Sequence, residues 1–296
     1  MEQNRGWGAR LFDAGNVLVM CGLMLVVIYP LYYMAIISLS DGLYVARGDV
    51  RWLPIGINFE TYKIIFADPS LMRAYGNTLF YTAFGTLVNV AMTALCAYPL
   101  SRRRLYGRST LSFIILFTMF FGGGMIPSYL VVHSLGMVDT FWAILIPPAI
   151  NVWYMIIMRT FFQGIPEEIH ESAMMDGAND MTVFVRLVLP LSLPVLATMT
   201  MFYAVWHWNS FFPSLIYLNE KSKYPVQLLM RNIVISGEMA TQAEAMGGTS
   251  SSKSFLVTAS NVKFGVIIAT ILPIVTVYPF IQKYFIKGSL VGSLKG

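Results

Sequence analysis

Six stretches of this chain run without a single Asp, Glu, Lys or Arg: residues 14–40, 74–101, 109–138, 140–158, 187–219 and 264–282. Each reaches the roughly 17–25 residues that a helix needs to cross the hydrocarbon core of a bilayer. The apolar runs are continuous and do not alternate, so they predict helices and not the strands of a membrane barrel. The pattern therefore predicts an all-α polytopic membrane protein with six transmembrane helices, forming a single transmembrane domain over residues 1–296. Arg5 and Arg10 precede the first run as they would in a signal peptide. The run is too long for one, and no small-x-small cleavage site follows Ser40, so a retained signal-anchor helix is expected.

The spans are interrupted. Gly122-Gly123-Gly124 and Pro127 break the third, Pro147-Pro148 the fourth, and Pro190, Pro194 and Pro213 the fifth. Such breaks are tolerated where neighbouring helices or a water-filled cavity satisfy the freed backbone groups. They are common in proteins that open a path and also occur in static bundles. Two connecting loops are long. Residues 41–73 carry Trp52, Pro54, Phe59 and Tyr62, a surface that predicts short interfacial helices, while 220–263 is polar and expected to be flexible around 246–253.

Charge sets orientation. Arg102, Arg103, Arg104 and Arg108 crowd the link between the second and third spans, which the positive-inside rule assigns to the cytoplasm. Both termini then lie inside. The net charge of +5 reads as this topology signal. No basic helix or stacking module accompanies it, so no nucleic-acid partner is expected, and membrane lipid is.

The composition also narrows the energy source. Hydrophobic residues make up 56% and charged ones 12%, against about a quarter charged in soluble domains. Within the apolar windows the titratable candidates for an ion relay are His133 and His207, too few to favour an ion-coupled carrier. The segment 247–254, GGTSSSKS, nearly fits the phosphate-binding pattern G-x-x-x-x-G-K-[ST]. Ser252 replaces the second glycine and no strand precedes it, so ATP hydrolysis within this chain is not expected. Cys21 and Cys96 form neither a disulfide framework nor a zinc site. No catalytic residue, cofactor or metal is assigned to the chain.

The loop 159–190 stands apart. Gly164-Ile165-Pro166 ends one helix, and Pro166 suits the start of another. Glu167, Glu168 and Glu171 fill its first turns, where the helix dipole favours anions. Gly177 supplies a left-handed turn, and Asn179 or Asp180 caps a following helix that carries Phe184 and Arg186 into Leu189-Pro190. A short helix, a sharp turn and a second helix feeding a span form a shape that could dock into a soluble partner. An ordinary solvated loop with an acidic face has the same residues.

Glu171-Ser172-Ala173, three residues, Gly177, nine residues and Leu187-Val188-Leu189-Pro190 resemble the "EAA" loop of ABC importer permeases, E-A-A-x3-G-x9-I-x-L-P. Ser172 and Leu187 depart from that pattern conservatively, and Ile165-Pro166-Glu167-Glu168 upstream also resembles the family. Residues 121–128 (FGGGMIPS), 135–141 (LGMVDTF) and the tail 287–296 resemble carbohydrate-uptake permeases, closest to those importing complex oligosaccharides such as alginate. The resemblance implies a transport subunit of the bacterial inner membrane and not an enzyme. Its partners would be a second permease chain, a non-identical homologue, with two cytoplasmic ATPase subunits that bind ATP and Mg²⁺ and an extracytoplasmic solute-binding protein. It implies ATPase coupling through Glu168, Glu171, Ser172, Ala173, Asp176, Gly177, Ala178, Leu189 and Pro190. The alternatives are an ABC permease for a non-sugar solute and an ion-coupled secondary transporter.

For the substrate path the fifth span offers Tyr203, Trp206, Asn209 and Phe212, with Trp206, Asn209 and Pro213 at i, i+3, i+7 spacing. Trp153 and Tyr154 in the fourth span are weaker candidates. Aromatic faces beside an amide suit a sugar. The same residues serve as interfacial anchors or bundle packing. No cationic clamp marks the substrate as acidic.

Overall fold

The structure, a computed structural model, describes residues 7–245 and 257–293; the phosphate-loop look-alike at 247–254, the polar stretch 246–253 and the end of the tail lie wholly or largely outside them. The described residues are helical with no strand. In chain order the helices are α1 Trp7–Leu39, α2 Gly42–Arg47, α3 Glu60–Ala67, α4 Pro69–Ser101, α5 Arg108–Phe120, α6 Met125–Ser134, α7 Trp142–Leu145 and α8 Val152–Gln163. There follow α9 Glu167–Met175, α10 Asp180–Leu191, α11 Leu193–Asn209, α12 Phe212–Tyr217, α13 Val226–Ala245 and α14 Ala259–Ser293.

By length and composition three helices can cross a membrane alone, at Leu11–Leu39, Pro69–Ser101 and Ala259–Thr276. Two bent pairs raise the number to five: α5 with α6, turned by 114°, and α10 with α11, turned by 82°. The fourth expected span, 140–158, is not one continuous helix. Pro147 and Pro148 lack N–H donors and disfavour helical backbone before them, so the segment splits into α7 and a 12-residue α8 that rises only about 18 Å. The other breaks have equally local causes. Gly124 adopts φ +83° at the α5–α6 bend, a conformation that side chains resist. Pro190 and Pro194 flank the α10–α11 bend at Ser192.

The chain forms two compact units. One comprises the chain up to Pro69 with Met230–Pro273. Here α1 runs long and exposed until Ile36 and Ile37 enter a small core with Val50. Asn261 of α14 donates from Nδ2 to the carbonyls of Ile37 and Ser40 at 2.7 and 2.8 Å, capping α1. Gly265 lets α14 approach α3 closely, since a Cβ there would meet Ile65 and Thr61 below 3 Å. The aromatic loop does fold into the short helices α2 and α3, with the Tyr29 and Trp52 rings 5.4 Å apart.

The other unit, Ser70–Leu229 with Ile274 onward, holds the main core. Ala94, Ala97 and Tyr98 of α4 pack with Met155, Met158 and Phe162 of α8 and with Val183, Phe184 and Val188 of α10. One end of α4 is tied to the segment after α12. Asn77 Nδ2 donates to the Ser222 carbonyl at 2.7 Å, Tyr81 Oη to that of Lys223 at 2.9 Å, and Thr78 Oγ1 accepts from the Val226 N–H at 2.8 Å. Asp139, at φ +58°, accepts from the N–H groups of Asn219 and Glu220 at 3.0 and 3.1 Å and pairs with Lys223 Nζ at 3.0 Å. Those backbone bonds, more than the lysine, hold its carboxyl below the usual carboxylate range.

Candidate functional site

The loop 159–190 is built as a hairpin whose turn is closed at both ends. α9 opens with Glu167 and Glu168 in its first turn and closes on Asp176. The Gly177 N–H then bonds the Met174 carbonyl and the Ala178 N–H reaches back to Ala173, each at 3.0 Å. That is a Schellman closure, and it requires the left-handed residue that Gly177 supplies at φ +82°. Asn179, not Asp180, caps α10: its Oδ1 accepts from the Thr182 N–H at 2.8 Å and from the Thr182 hydroxyl at 2.9 Å. α10 continues through a π turn at Phe184–Val188 before Leu189 and Pro190. Extra-wide turns of this kind are frequent at functional positions.

The expected coupling residues divide by exposure. Glu168, Glu171, Ser172, Asp176 and Gly177 are exposed, as is Pro190, whereas Ala173, Ala178 and Leu189 are half-buried against the main core. Ser172 Oγ donates to the Glu168 carbonyl at 2.8 Å. Met175, 89% exposed, together with Met174 and Met181, gives the tip a flexible apolar surface.

What anchors the hairpin was not apparent from its spacing. His170, 2% exposed, lies beneath α9 with its ring stacked on Tyr98 of α4 at 6.3 Å and 19°. Tyr98 in turn meets Phe184 of α10 at 4.8 Å. One imidazole thus joins the end of a long span to both arms of the hairpin. Burial, reinforced by the nearby Arg102, pushes its pKa down and favours the neutral ring. Two ion pairs reach the same helix, Arg102 to Glu167 at 2.8 Å and Arg104 to Glu171 at 2.7 Å. The second is exposed on both sides and is worth little to stability.

The expected substrate-path residues do not form one cluster. Tyr203 is 2% exposed and its hydroxyl is engaged: it lies 2.7 Å from Thr93 Oγ1 of α4 and accepts from the Asn151 N–H at 3.0 Å. Tyr154 meets the Tyr203 ring edge-on at 4.9 Å. Trp206, Asn209, Phe212 and Trp153 are exposed. Helix α11 ends at Asn209, whose Nδ2 bonds the Val205 carbonyl at 2.8 Å. The face predicted to continue to Pro213 therefore stops there, with Pro213 on α12.

One turn further along α11, His207 is buried, with Nε2 2.7 Å from Asn89 Oδ1, and Asn89 Nδ2 donates to the Pro148 carbonyl at 2.5 Å. Gly85 faces the imidazole so closely that a Cβ there would overlap it. Together with Tyr203, this pair ties α4 and α11 to the non-helical stretch between α7 and α8, supplying partners for backbone groups that the double proline leaves unbonded. Among the described residues no group of His, Cys, Asp and Glu has the arrangement of a metal site.

Comparison with known proteins defines the class. Residues 89–289, which include the whole hairpin, match the family described as the inner membrane component of binding-protein-dependent transport systems, and the chain belongs to that family. It is 41% identical over 97% of its length to Protein LplC of Bacillus subtilis, of which it covers 96%. It is 40% identical over 97% of its length to a polygalacturonan/rhamnogalacturonan transport system permease of the same organism, covering 99% of it. Among solved structures it superposes with a TM-score of 0.86 and 33% identity on a chain of a bacterial ABC transporter involved in the import of the acidic polysaccharide alginate, covering 96% of this chain and 99% of that one.

Proposed function

We propose that this chain is a permease subunit of an ATP-driven importer of oligosaccharides derived from acidic or pectin-like polysaccharides. It lines part of the translocation path and receives motion from cytoplasmic ATPase subunits through the hairpin 159–190. A second permease chain, two ATPases that bind ATP and Mg²⁺, and an extracytoplasmic binding protein complete the assembly. In the membrane α7 and α8 together make the fourth of six spans, both termini lie inside, and the hairpin faces the cytoplasm. Family membership and the names of the relatives support this reading, and membership in a binding-protein-dependent family leaves an ion-coupled carrier without support.

The observation that carries coupling is mechanical. α9 presents its acidic residues and Met175 outward, while on its inner side His170 is stacked against Tyr98 and so against Phe184. A push on the outer face passes through packed rings into α4 and α10, and from α10 into the bent span. Co-purification with the subunits encoded beside it, followed by cross-linking from Met175→Cys, tests this. A cross-link to the ATPase that responds to ATP is expected. A chain that transports with residue 175 reactive only from outside the cell would refute it.

A further inference from the structure

Four arginines converge at the base of α5 with one carboxylate among them. Ser101, Arg102, Arg103, Arg108, Gln163 and Glu167 line a small cavity of about 160 Å³. Arg102, with its side chain only 13% exposed, is paired with Glu167 at 2.8 Å. With its amide oxygen turned toward them, Gln163 accepts from Arg108 Nη2 at 2.5 Å and from Arg159 Nε at 3.2 Å. Arg159 also donates to Ser112 Oγ at 3.2 Å. The neutral amide and hydroxyl orient Arg108 and Arg159 without cancelling their charge, so three arginines line the cavity and a fourth lies behind Gln163, against one carboxylate. The N-terminus of α5, a 13-residue helix, opens at Arg108 behind Gly107 with no side-chain cap, and its N–H groups add to the attraction for an anion.

The surroundings select the kind of anion. No residue of α5 is buried, and Phe113, Ile114, Phe117 and Phe120 run exposed up the helix from the cavity. Tyr106, 99% exposed beside it, is the residue type that settles at headgroup depth. A ligand with a phosphate and long acyl chains satisfies both parts, the phosphate in the arginine fork and the chains along α5. A soluble phosphate would leave the apolar face uncovered.

We propose that residues 102–108, Arg159 and Gln163 form a binding site for the phosphate of an anionic phospholipid of the inner leaflet. The assignment rests on the inner-face placement of this loop given above. Because Arg102 also holds Glu167, the first residue of α9, an occupied site would steady the root of the coupling hairpin. The experiment is native mass spectrometry of the whole complex exchanged into nanodiscs holding equal phosphatidylglycerol and phosphatidylcholine. Phosphatidylglycerol adducts are expected on the wild type. They should weaken roughly fivefold for each arginine removed in Arg103→Gln and Arg108→Gln, the worth of one cation beside an anionic surface, and remain unchanged in Arg186→Gln, an exposed arginine on α10 away from the cavity. Equal loss in Arg186→Gln would mean unspecific attraction and would overturn the site. Displacement of the lipid by millimolar inorganic phosphate would assign the cavity to a soluble anion instead. Loss of ATPase subunits with lipid retained would give it to a protein partner. Labelling of Arg103→Cys from the outer side alone would remove the topology on which the proposal stands, without touching the phosphate chemistry.

Discussion

Replacing Gly177 separates two reasons why a glycine stands there. Its φ of +82° is a left-handed conformation, and a Cβ built on it meets no atom within 4 Å in this chain. Within the subunit, then, the cost of a side chain is purely conformational, about 1–2 kcal/mol for an ordinary residue. Asn tolerates this region far better than Val or other β-branched residues. If closure of the hairpin governs docking, alanine at 177 should weaken ATPase binding roughly 5- to 30-fold, since each 1.4 kcal/mol is tenfold. Gly177→Val should weaken it further, and Gly177→Asn should restore most of the loss. The measurement is titration of ATPase subunits onto permease complexes held in nanodiscs, with the amount of inserted chain checked for every variant. If Asn at 177 binds as poorly as Val, the partner needs the space that glycine leaves and the turn argument fails. If alanine binds like the wild type, the Schellman closure is irrelevant to docking.

Other expectations follow from the same geometry. Gly85→Ala should drive a methyl into the His207 ring and lower the thermal stability of the purified complex by the equivalent of about 1–3 kcal/mol, whereas Gly76→Ala, where a Cβ meets nothing within 4 Å, should be neutral. Asn89→Leu removes the partner of both His207 and the Pro148 carbonyl, and should cost about 1–2 kcal/mol, the upper range for interhelical polar contacts in membranes, with faster proteolysis between α7 and α8. For His170 the lowered pKa makes the unfolded hairpin bind more protons than the folded one. Its contribution is complete above the ordinary histidine value of about 6.5 and is lost as pH falls through the lower folded value, so ATPase retention should decline on acidification and His170→Phe should flatten that decline. Asp139 has the same sign at lower pH: its stabilisation is present above about 3.9 and lost as pH falls through its depressed value, and Asp139→Asn should remove that acid limb from melting curves.

Three spans, or five with the bent pairs, were legible because a membrane setting forces long uncharged runs, and the hairpin was legible because caps and left-handed turns are local. Pro166, Gly177 and Asn179 lie within a few residues of the groups they serve, so their roles follow from order alone. The breaks were also foreseeable. Pro147-Pro148 marked where a helix had to stop, but not that the stop would divide the span into a single turn and a short helix. The contacts that give the site its stiffness could not be read this way. His170 depends on Tyr98, 72 positions earlier, and His207 on Asn89, 118 earlier, and nothing at either position announces the other. Asp139 was hidden for the same reason, since its left-handed backbone is held by N–H groups at 219 and 220. The lone histidine on an apolar run reads as filler until the fold brings an amide to it.

The asymmetry of the Asn89 side chain has a consequence for its neighbours. Its nitrogen is committed to the Pro148 carbonyl, so its oxygen must be the acceptor, and the proton of His207 must sit on Nε2. Nδ1 is then the unprotonated nitrogen, enclosed against Gly85. A carboxamide is the simplest group that can face a carbonyl with one end and an imidazole N–H with the other. Aspartate would set its charge against the proline oxygen, and a hydroxyl is too short to span the gap. Position 89 therefore works as a two-ended strut with a fixed direction, and it sets the tautomer of the ring it holds.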